Sequence, residues 1–104
     1  MIKSFIMELT SKQRKILTSL SNPLEPLVIV GQNGVTEGLE QKTAQCLEHH
    51  ELIKVKFNEF KDEKLELAKN LADSCEAVLV RVIGNIAILY KQNPDPEKRV
   101  IKLK

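Results

Sequence analysis

A chain of 104 residues, of which 42% are hydrophobic and 29% charged, has the length and composition of one globular domain that buries a core without disulfides. The formal net charge of +2 is too small to identify a nucleic-acid partner, although the two ends of the chain are basic and the middle is acidic. No apolar run approaches the roughly 18 residues that a membrane span needs, so no membrane partner is expected.

The first predicted element is a helix over about residues 11–20. Residues 1–8 before it have no firm pattern and are predicted to be an N-terminal extension. Thr10 and Gln13 have the spacing of a capping box, and Asn22-Pro23 ends the helix. Five residues follow helical spacing and form one side of the helix, and all but Gln13 are apolar: Leu9, Gln13, Ile16, Leu17 and Leu20.

A strand, a glycine loop and a helix start follow in residues 26–38. The four aliphatic residues 27–30 predict a strand that is covered on both faces. Gly31 and Gly34 form a Gly-x-x-Gly loop, and Thr36 is a candidate N-cap. Such a loop points N–H groups outward and favours a phosphate. The same pattern also occurs in plain turns, and Glu37 competes for the helix terminus.

The second helix is predicted over about residues 37–49 and the second strand over residues 52–58. The helix stripe is Leu39, Thr43, Cys46, Leu47 and His50, and we expect His50 to pack under the next strand. The strand alternates cleanly. Its apolar residues Ile53, Val55 and Phe57 point one way, and Lys54 and Lys56 point the other way.

The last elements are a helix over about residues 62–74 and a hairpin. The helix stripe is Leu65, Ala68, Leu71, Ala72 and Cys75. Two β-prone segments, residues 77–83 and 86–92, are separated only by Gly84-Asn85, which is a two-residue hairpin signal. The tail, residues 93–104, contains Pro94 and Pro96 and four cations, and is predicted to be a basic mobile arm.

The element order α-β-α-β-α-β-β predicts a single two-layer α/β domain with helices packed on a four-stranded mixed sheet. The two strand–helix–strand units predict parallel neighbouring strands with right-handed crossovers, and the hairpin adds an antiparallel strand. Cys46 and Cys75 lie in apolar helical patterns without ligand spacing, so we expect buried thiols in a reducing, cytoplasmic setting.

Catalysis is not expected from this sequence. It has no Walker-type loop, no dinucleotide-binding fingerprint and no nucleophile with supporting groups, and the adjacent residues His49 and His50 point about 100° apart on a helix. We therefore predict no enzyme activity, no cofactor and no metal.

Nucleic-acid binding through phosphates is the better prediction. Only four aromatic residues exist, too few for a base-stacking sheet, whereas phosphate contacts need only cations and free amides. The candidate RNA-binding residues are Lys12, Arg14, Lys15, Gly31, Gln32, Asn33, Gly34, Lys54, Lys56, Arg81 and Lys91. Arg81 alternates with Val80 and Val82 and so can share a sheet face with Lys54 and Lys56. Scattered surface charge is the alternative that the residues alone leave open.

Residues 9–14, 26–37 and 44–56, together with 82–84 and 88–91, resemble the CRM (chloroplast RNA splicing and ribosome maturation) domain, and most closely its small bacterial YhbY-type RNA-binding members. The resemblance covers the predicted domain at residues 9–92. It implies a fold similar to the C-terminal domain of translation initiation factor 3.

The resemblance also implies a role and a site. The implied role is RNA binding, and the bacterial members are linked to the large-subunit ribosomal RNA precursor. We also expect ribosomal proteins as further partners and a monomeric state. The site is the Gly31–Gly34 loop with Lys12, Arg14, Lys54 and Lys56. Many relatives carry a basic residue in the loop and in the hairpin turn, where this chain has Gln32, Asn33 and Asn85. A protein–protein adaptor on pre-ribosomal particles, acting through the acidic second and third helices, is the alternative.

Overall fold

The computed structural model describes residues 8–101, which form three α-helices, four strands and two short 3-10 helices. The predicted N-terminal extension and the last three residues therefore fall mostly outside the described range. In chain order the elements are α1 (Ser11–Ser21), β1 (Val28–Val30), α2 (Glu37–His50), β2 (Leu52–Phe57), a 3-10 turn (Lys61–Glu63), α3 (Lys64–Ser74), β3 (Val78–Ile83), β4 (Ile86–Tyr90) and a second 3-10 turn (Pro96–Lys98).

The four strands form one mixed sheet in the order β1-β2-β4-β3, which confirms the predicted fold class. β1 and β2 are parallel, and β4 runs antiparallel to both β2 and β3. The prediction that both strand–helix–strand units join neighbouring strands holds only for β1 and β2. Because β4 folds back from the hairpin and pairs with β2 as well as β3, it lies between those two strands.

One face of the sheet is covered by α2 and α3. The buried residues of this first core include Val55 and Phe57 from β2, Leu47 from α2 and Leu71 from α3, all at most 1% exposed. The alternation predicted for β2 is confirmed, because Ile53, Val55 and Phe57 lie in this core. Burial of about 25 cal/mol for each Å² of apolar surface makes this layer the main source of stability.

The opposite face is covered only in part, by α1. Leu17 packs in a second cluster of buried residues with Leu52, Val78, Val80, Ile88 and Tyr90. The predicted two layers therefore become three at this end of the sheet. The capping box predicted at the start of α1 is confirmed: the Thr10 hydroxyl accepts the N–H of Gln13, and the Gln13 side chain accepts the N–H of Thr10.

Several predicted apolar contacts are wrong, and two of them lie on the uncovered part of the second face. Leu27 and Ile29 are 39% and 50% exposed, so β1 is covered on one face and not on both. β1 is an edge strand, and no helix among the described residues covers the face of β1 that carries Leu27 and Ile29. Leu20 and Leu65, assigned to helix stripes, are 45% and 52% exposed, and His50 is exposed at the end of α2.

The C-terminal segment is docked as far as residue 101, in contrast to the predicted mobile arm. The Glu51 side chain, only 1% exposed, accepts the backbone N–H groups of Asn93 (2.6 Å), Val100 (2.8 Å) and Ile101 (2.9 Å). Arg99 donates its Nε–H to the Asn93 carbonyl at 2.8 Å, and Ile101 packs against the second cluster. One buried carboxylate thus holds the tail, because it accepts three of the tail's backbone N–H groups.

Both cysteines are free; Cys75 is buried as predicted, whereas Cys46 is only half-buried. Burial raises the pKa of the Cys75 thiol above its ordinary value of 9.0. In the second cluster, burial and the nearby Glu51 carboxylate raise the pKa of Tyr90 above its ordinary value of 10.0. Both groups are therefore held in their neutral form near neutral pH.

Candidate nucleic-acid interface

The glycine loop lies at the carboxyl end of β1. Gly34 donates its N–H to the Gly31 carbonyl at 3.0 Å, which closes the turn. Gly34 has a φ of +69°, a conformation that side chains with a Cβ rarely adopt, and a Cβ there would lie 3.4 Å from the ring of Phe60. The fold itself therefore accounts for Gly34.

Gly31 has no such structural explanation. Its φ is not in the left-handed region, and a Cβ built at this position meets no atom of the described chain within 4 Å. The turn would accommodate a side chain at this position, so the missing side chain leaves open space in front of the backbone. A bare backbone facing open space allows a ligand to approach closely.

The tip of the loop offers hydrogen-bond donors. Within residues 8–101, the backbone N–H groups of Gln32 and Asn33 take part in no hydrogen bond, and both residues are exposed. Thr36 caps α2 as predicted, because its hydroxyl accepts the Leu39 N–H at 3.1 Å. The helix start is thus partly satisfied by the chain itself, and the loop adds two further donors for a ligand.

Strand register brings three of the predicted cations onto the open part of the second face. Lys56 pairs with Ile29 on one side and Ile86 on the other, and Ile86 pairs with Ile83. In the next row, Lys54 and Arg81 flank Ile88. We call the part of these two rows that α1 leaves uncovered the open face; its residues are Ile29, Lys54, Lys56, Arg81, Ile83 and Ile86.

The open face combines cations with exposed aliphatic side chains. Lys56 and Arg81 are exposed, and Ile29 and Ile83 are each 50% exposed. Lys54 is half-buried and donates its ammonium to the Asn22 carbonyl at the end of α1, at 3.3 Å. Two of the ammonium's three donors remain for a ligand. Since the loop after β1 and Lys56 on β2 are at the same end of adjacent strands, the loop and the open face form one continuous surface.

Arg14 has a structural role that the sequence did not reveal. Its guanidinium donates to the carbonyls of Leu79, at 2.9 Å, and of Val80 on the outer edge of β3. The register of β3 shifts between Leu79 and Arg81, which is the irregularity that turns Val80 and Arg81 toward the same face. Arg14 therefore anchors α1 on this edge, and its neighbours Lys12 and Lys15 remain exposed.

Lys91 does not join the other candidates. It follows β4 at the end of the sheet where its N–H donates to the Glu51 carbonyl at 2.8 Å. The glycine loop lies beside the other end of β2, roughly 17 Å away along the strand. The structure thus groups the loop with Lys54, Lys56 and Arg81, places Lys12 and Lys15 on α1 over the same face, and leaves Lys91 apart.

Phe60 is the residue of this surface that the sequence analysis did not select. It has a φ of +57°, is 40% exposed, and its ring lies against Gly34. A left-handed phenylalanine is uncommon, so no turn signal in the sequence pointed to it. With Gln32 it lines a depression beside the loop, together with Asn58, Glu59, Lys61, Asp62 and Glu63.

Across residues 8–101, no group of three or more His, Cys, Asp or Glu residues could hold a metal ion. Within that same range, no helix has the length and apolarity to cross a membrane.

Comparison with known proteins agrees with this architecture. The chain is 38% identical over 95 residues to the probable RNA-binding protein PA4753 of Pseudomonas aeruginosa, covering 90% of this chain and 91% of that protein. It is 38% identical over 93 residues to an RNA-binding protein of Haemophilus influenzae, covering 88% and 92% of the two chains.

Among solved structures, the solution structure of hypothetical protein SAV1595 from Staphylococcus aureus superposes with a TM-score of 0.77 at 34% identity, covering 93% of this chain and all of that one. The sequence model of the CRS1/YhbY (CRM) domain matches residues 9–91. With a glycine loop, a four-stranded mixed sheet and this match along most of its length, the chain belongs to the CRS1/YhbY (CRM) domain family.

Proposed function

We propose that this protein is a non-catalytic RNA-binding protein that holds structured RNA by its phosphates, using the glycine loop and the open face together. The observation that carries the proposal is Gly31, a glycine that the backbone does not require, facing open space. The relatives from Pseudomonas aeruginosa and Haemophilus influenzae are named RNA-binding proteins, which supports the same partner for this chain.

The loop and the sheet have different tasks in this mechanism. Gln32 and Asn33 carry no charge, so the loop contributes amide donors to a phosphate oxygen that comes close to Gly31. Lys54, Lys56 and Arg81 supply the positive charge beside it and release counterions from the RNA backbone. Lys12 and Lys15 extend the cationic surface along α1. Such contacts position RNA without reading its sequence.

The glycine loop is tested by a graded series at one position. Gly31→Ala and Gly31→Leu place increasing bulk where the structure has open space. We expect the Kd for a labelled stem–loop RNA to rise with side-chain size, by about tenfold for leucine (1.4 kcal/mol). The thermal unfolding midpoint stays unchanged because no contact in the fold is disturbed. An unchanged Kd for Gly31→Leu would show that RNA does not approach this backbone.

The open face is tested by salt dependence. Replacing Lys54 and Lys56 by alanine removes two phosphate contacts. The negative slope of log K against log salt should therefore become shallower by about 1 for each lysine. The matched control replaces Lys42 and Lys69, which are exposed on α2 and α3 in the opposite layer. Equal slopes for the two double variants would assign the binding to scattered surface charge.

We further propose that the RNA is the precursor of large-subunit ribosomal RNA, which rests on the family resemblance. Crosslinking in cells followed by sequencing of the bound RNA tests this. Recovery of ribosomal precursor fragments supports it, and recovery of unrelated transcripts alone contradicts it.

A protein partner on a pre-ribosomal particle is the second candidate, favoured by the exposed aliphatic side chains of Ile29 and Ile83. Adaptor binding predicts particle association that survives the lysine substitutions and is lost in an Ile29→Ser/Ile83→Ser variant.

A further inference from the structure

The depression beside the glycine loop has the features of a small binding pocket. One wall is Gln32, from the tip of the loop, and another is the exposed ring of Phe60. The segment between them is tied to β1, because Asn58 and Glu59 both donate their N–H groups to the Val30 carbonyl, at 3.0 and 3.3 Å. The pocket is therefore built on the same backbone as the loop.

Phe60 is held in an unfavourable conformation. Its φ of +57° costs free energy for any residue with a Cβ, and glycine or asparagine would occupy this turn more easily. The Phe60 carbonyl accepts the Glu63 N–H at 3.1 Å and starts the 3-10 turn, a bond that any residue at this position can make. The fold therefore needs the turn but not an aromatic side chain in it, and Phe60 is 40% exposed.

The charge around the pocket selects what can enter it. Glu59, Asp62 and Glu63 line it, against the single cation Lys61. These carboxylates repel a phosphate, so the RNA backbone belongs on the other side of the loop, above Lys56. They accept hydrogen bonds, however, and a base that offers donors on its edge is complementary to them. An exposed aromatic face beside a phosphate-binding loop is also suited to stacking one base.

We propose that this depression is a pocket for one unpaired guanine, stacked on the Phe60 ring while its 5′ or 3′ phosphate lies on the glycine loop. Guanine is the base with two adjacent donors on its Watson–Crick edge, N1–H and N2–H, which match the two oxygens of a carboxylate. Glu59, which lines the depression together with Phe60, is the assigned acceptor. The inference rests on the proposed RNA-binding function and adds a base preference to it.

The chain contains no tryptophan, which makes Phe60→Trp a direct reporter of stacking. The variant is titrated with stem–loop RNAs that share one stem and carry a loop of uridines with a single guanine, inosine or adenine. We expect fluorescence quenching by all three loops at saturation. The guanine loop should bind severalfold more tightly than the inosine loop, which lacks the N2 amino group. The blunt duplex of the same stem should bind without quenching.

Two further variants separate the ring from the carboxylate. Phe60→Leu keeps an apolar contact with Gly34 but removes the aromatic face, and should weaken the guanine loop by about 5- to 150-fold while the duplex is unaffected. Glu59→Gln should remove the preference of guanine over inosine. Glu66→Gln, an exposed carboxylate on α3 that does not line the pocket, is the control and should retain that preference.

The outcomes distinguish the two proposals. The base pocket is overturned if Phe60→Trp binds both the loop RNAs and the duplex without quenching. It is also overturned if Phe60→Leu binds the guanine loop with unchanged affinity. Either result leaves the proposed phosphate binding intact. Absence of binding to every RNA overturns the proposed function, and the pocket with it.

Discussion

The two faces of the sheet differ in what covers them. The first face lies under α2 and α3 and carries fully buried residues such as Val55 and Phe57. The second is covered by α1 at one end and presents Lys56, Arg81 and half-exposed isoleucines at the other. Neighbouring residues of a single strand therefore have opposite tasks: Phe57 stabilises the fold, and Lys56 is free to contact a partner.

This difference has a simple physical origin. The helix α1 covers one end of the second face and leaves the residues near the glycine loop exposed. Cations there remain hydrated, so the folded state carries no desolvation penalty for them. Stability and the proposed binding are thus separated by strand alternation, with a period of two residues. Substitutions on the two faces should have separable effects.

The largest effect is expected on the covered face. Phe57→Ala removes a ring that is 0% exposed and should lower the free energy of unfolding by about 3–5 kcal/mol, through lost burial and the cavity left behind. Urea denaturation measures this. Ile29→Ala, on the open face and 50% exposed, is the control and should change it by less than about 0.5 kcal/mol. Similar losses for both variants would show that the open face is covered in solution.

The next effect concerns the end of the second face that the C-terminal segment closes. Glu51→Gln replaces one acceptor oxygen with an NH₂ group, which then faces either the N–H of Asn93 or the N–H groups of Val100 and Ile101, and should cost about 3 kcal/mol. Hydrogen exchange at residues 93–101 should accelerate. Glu48→Gln, at an exposed position on α2 three residues before Glu51, is the control. Unchanged exchange in Glu51→Gln would show that other contacts hold the segment.

The smallest effect is expected in the pH dependence of the free energy of unfolding, which involves one titrating group from each face. Cys75 and Tyr90 have pKa values raised above 9.0 and 10.0, so the unfolded chain loses these protons first as the pH rises. The contribution of these two groups to the free energy of unfolding is fully present below their pKa values in the unfolded chain. It is lost as the pH rises through their pKa values in the folded protein. The free energy of unfolding should fall above about pH 9, and less steeply in Tyr90→Phe. Equal slopes for wild type and variant would mean that Tyr90 ionises equally easily in both states.

Local patterns predicted most of the elements correctly. The capping box at Thr10, the alternation of β2 around Lys54 and Lys56, and the hairpin at Gly84 all depend on residues close in sequence, and Gly84 indeed has a φ of +57°. The glycine loop was also recognisable, because its two glycines and the N-cap at Thr36 lie within six residues. Interactions between residues close in sequence are sufficient to predict these features.

Errors arose where a residue's environment depends on distant segments. Leu27 and Ile29 have the pattern of a doubly covered strand, and only the position of β1 at the sheet edge leaves them exposed. Arg14 looked like a free cation until the edge of β3, 65 residues away, supplied its carbonyl partner. The tail looked mobile because the carboxylate that holds it, Glu51, lies more than 40 residues earlier.

The amino-acid sequence by itself determined the helices, the strands, the loop and the alternation that separates lysines from core residues, because each follows from backbone sterics and the local spacing of apolar side chains. Tertiary structure alone decided which cations share a surface with the loop, that Gly31 faces open space, and that Phe60 lies beside Gly34. Those depend on strand order and helix placement, which are set by contacts between segments far apart in the chain.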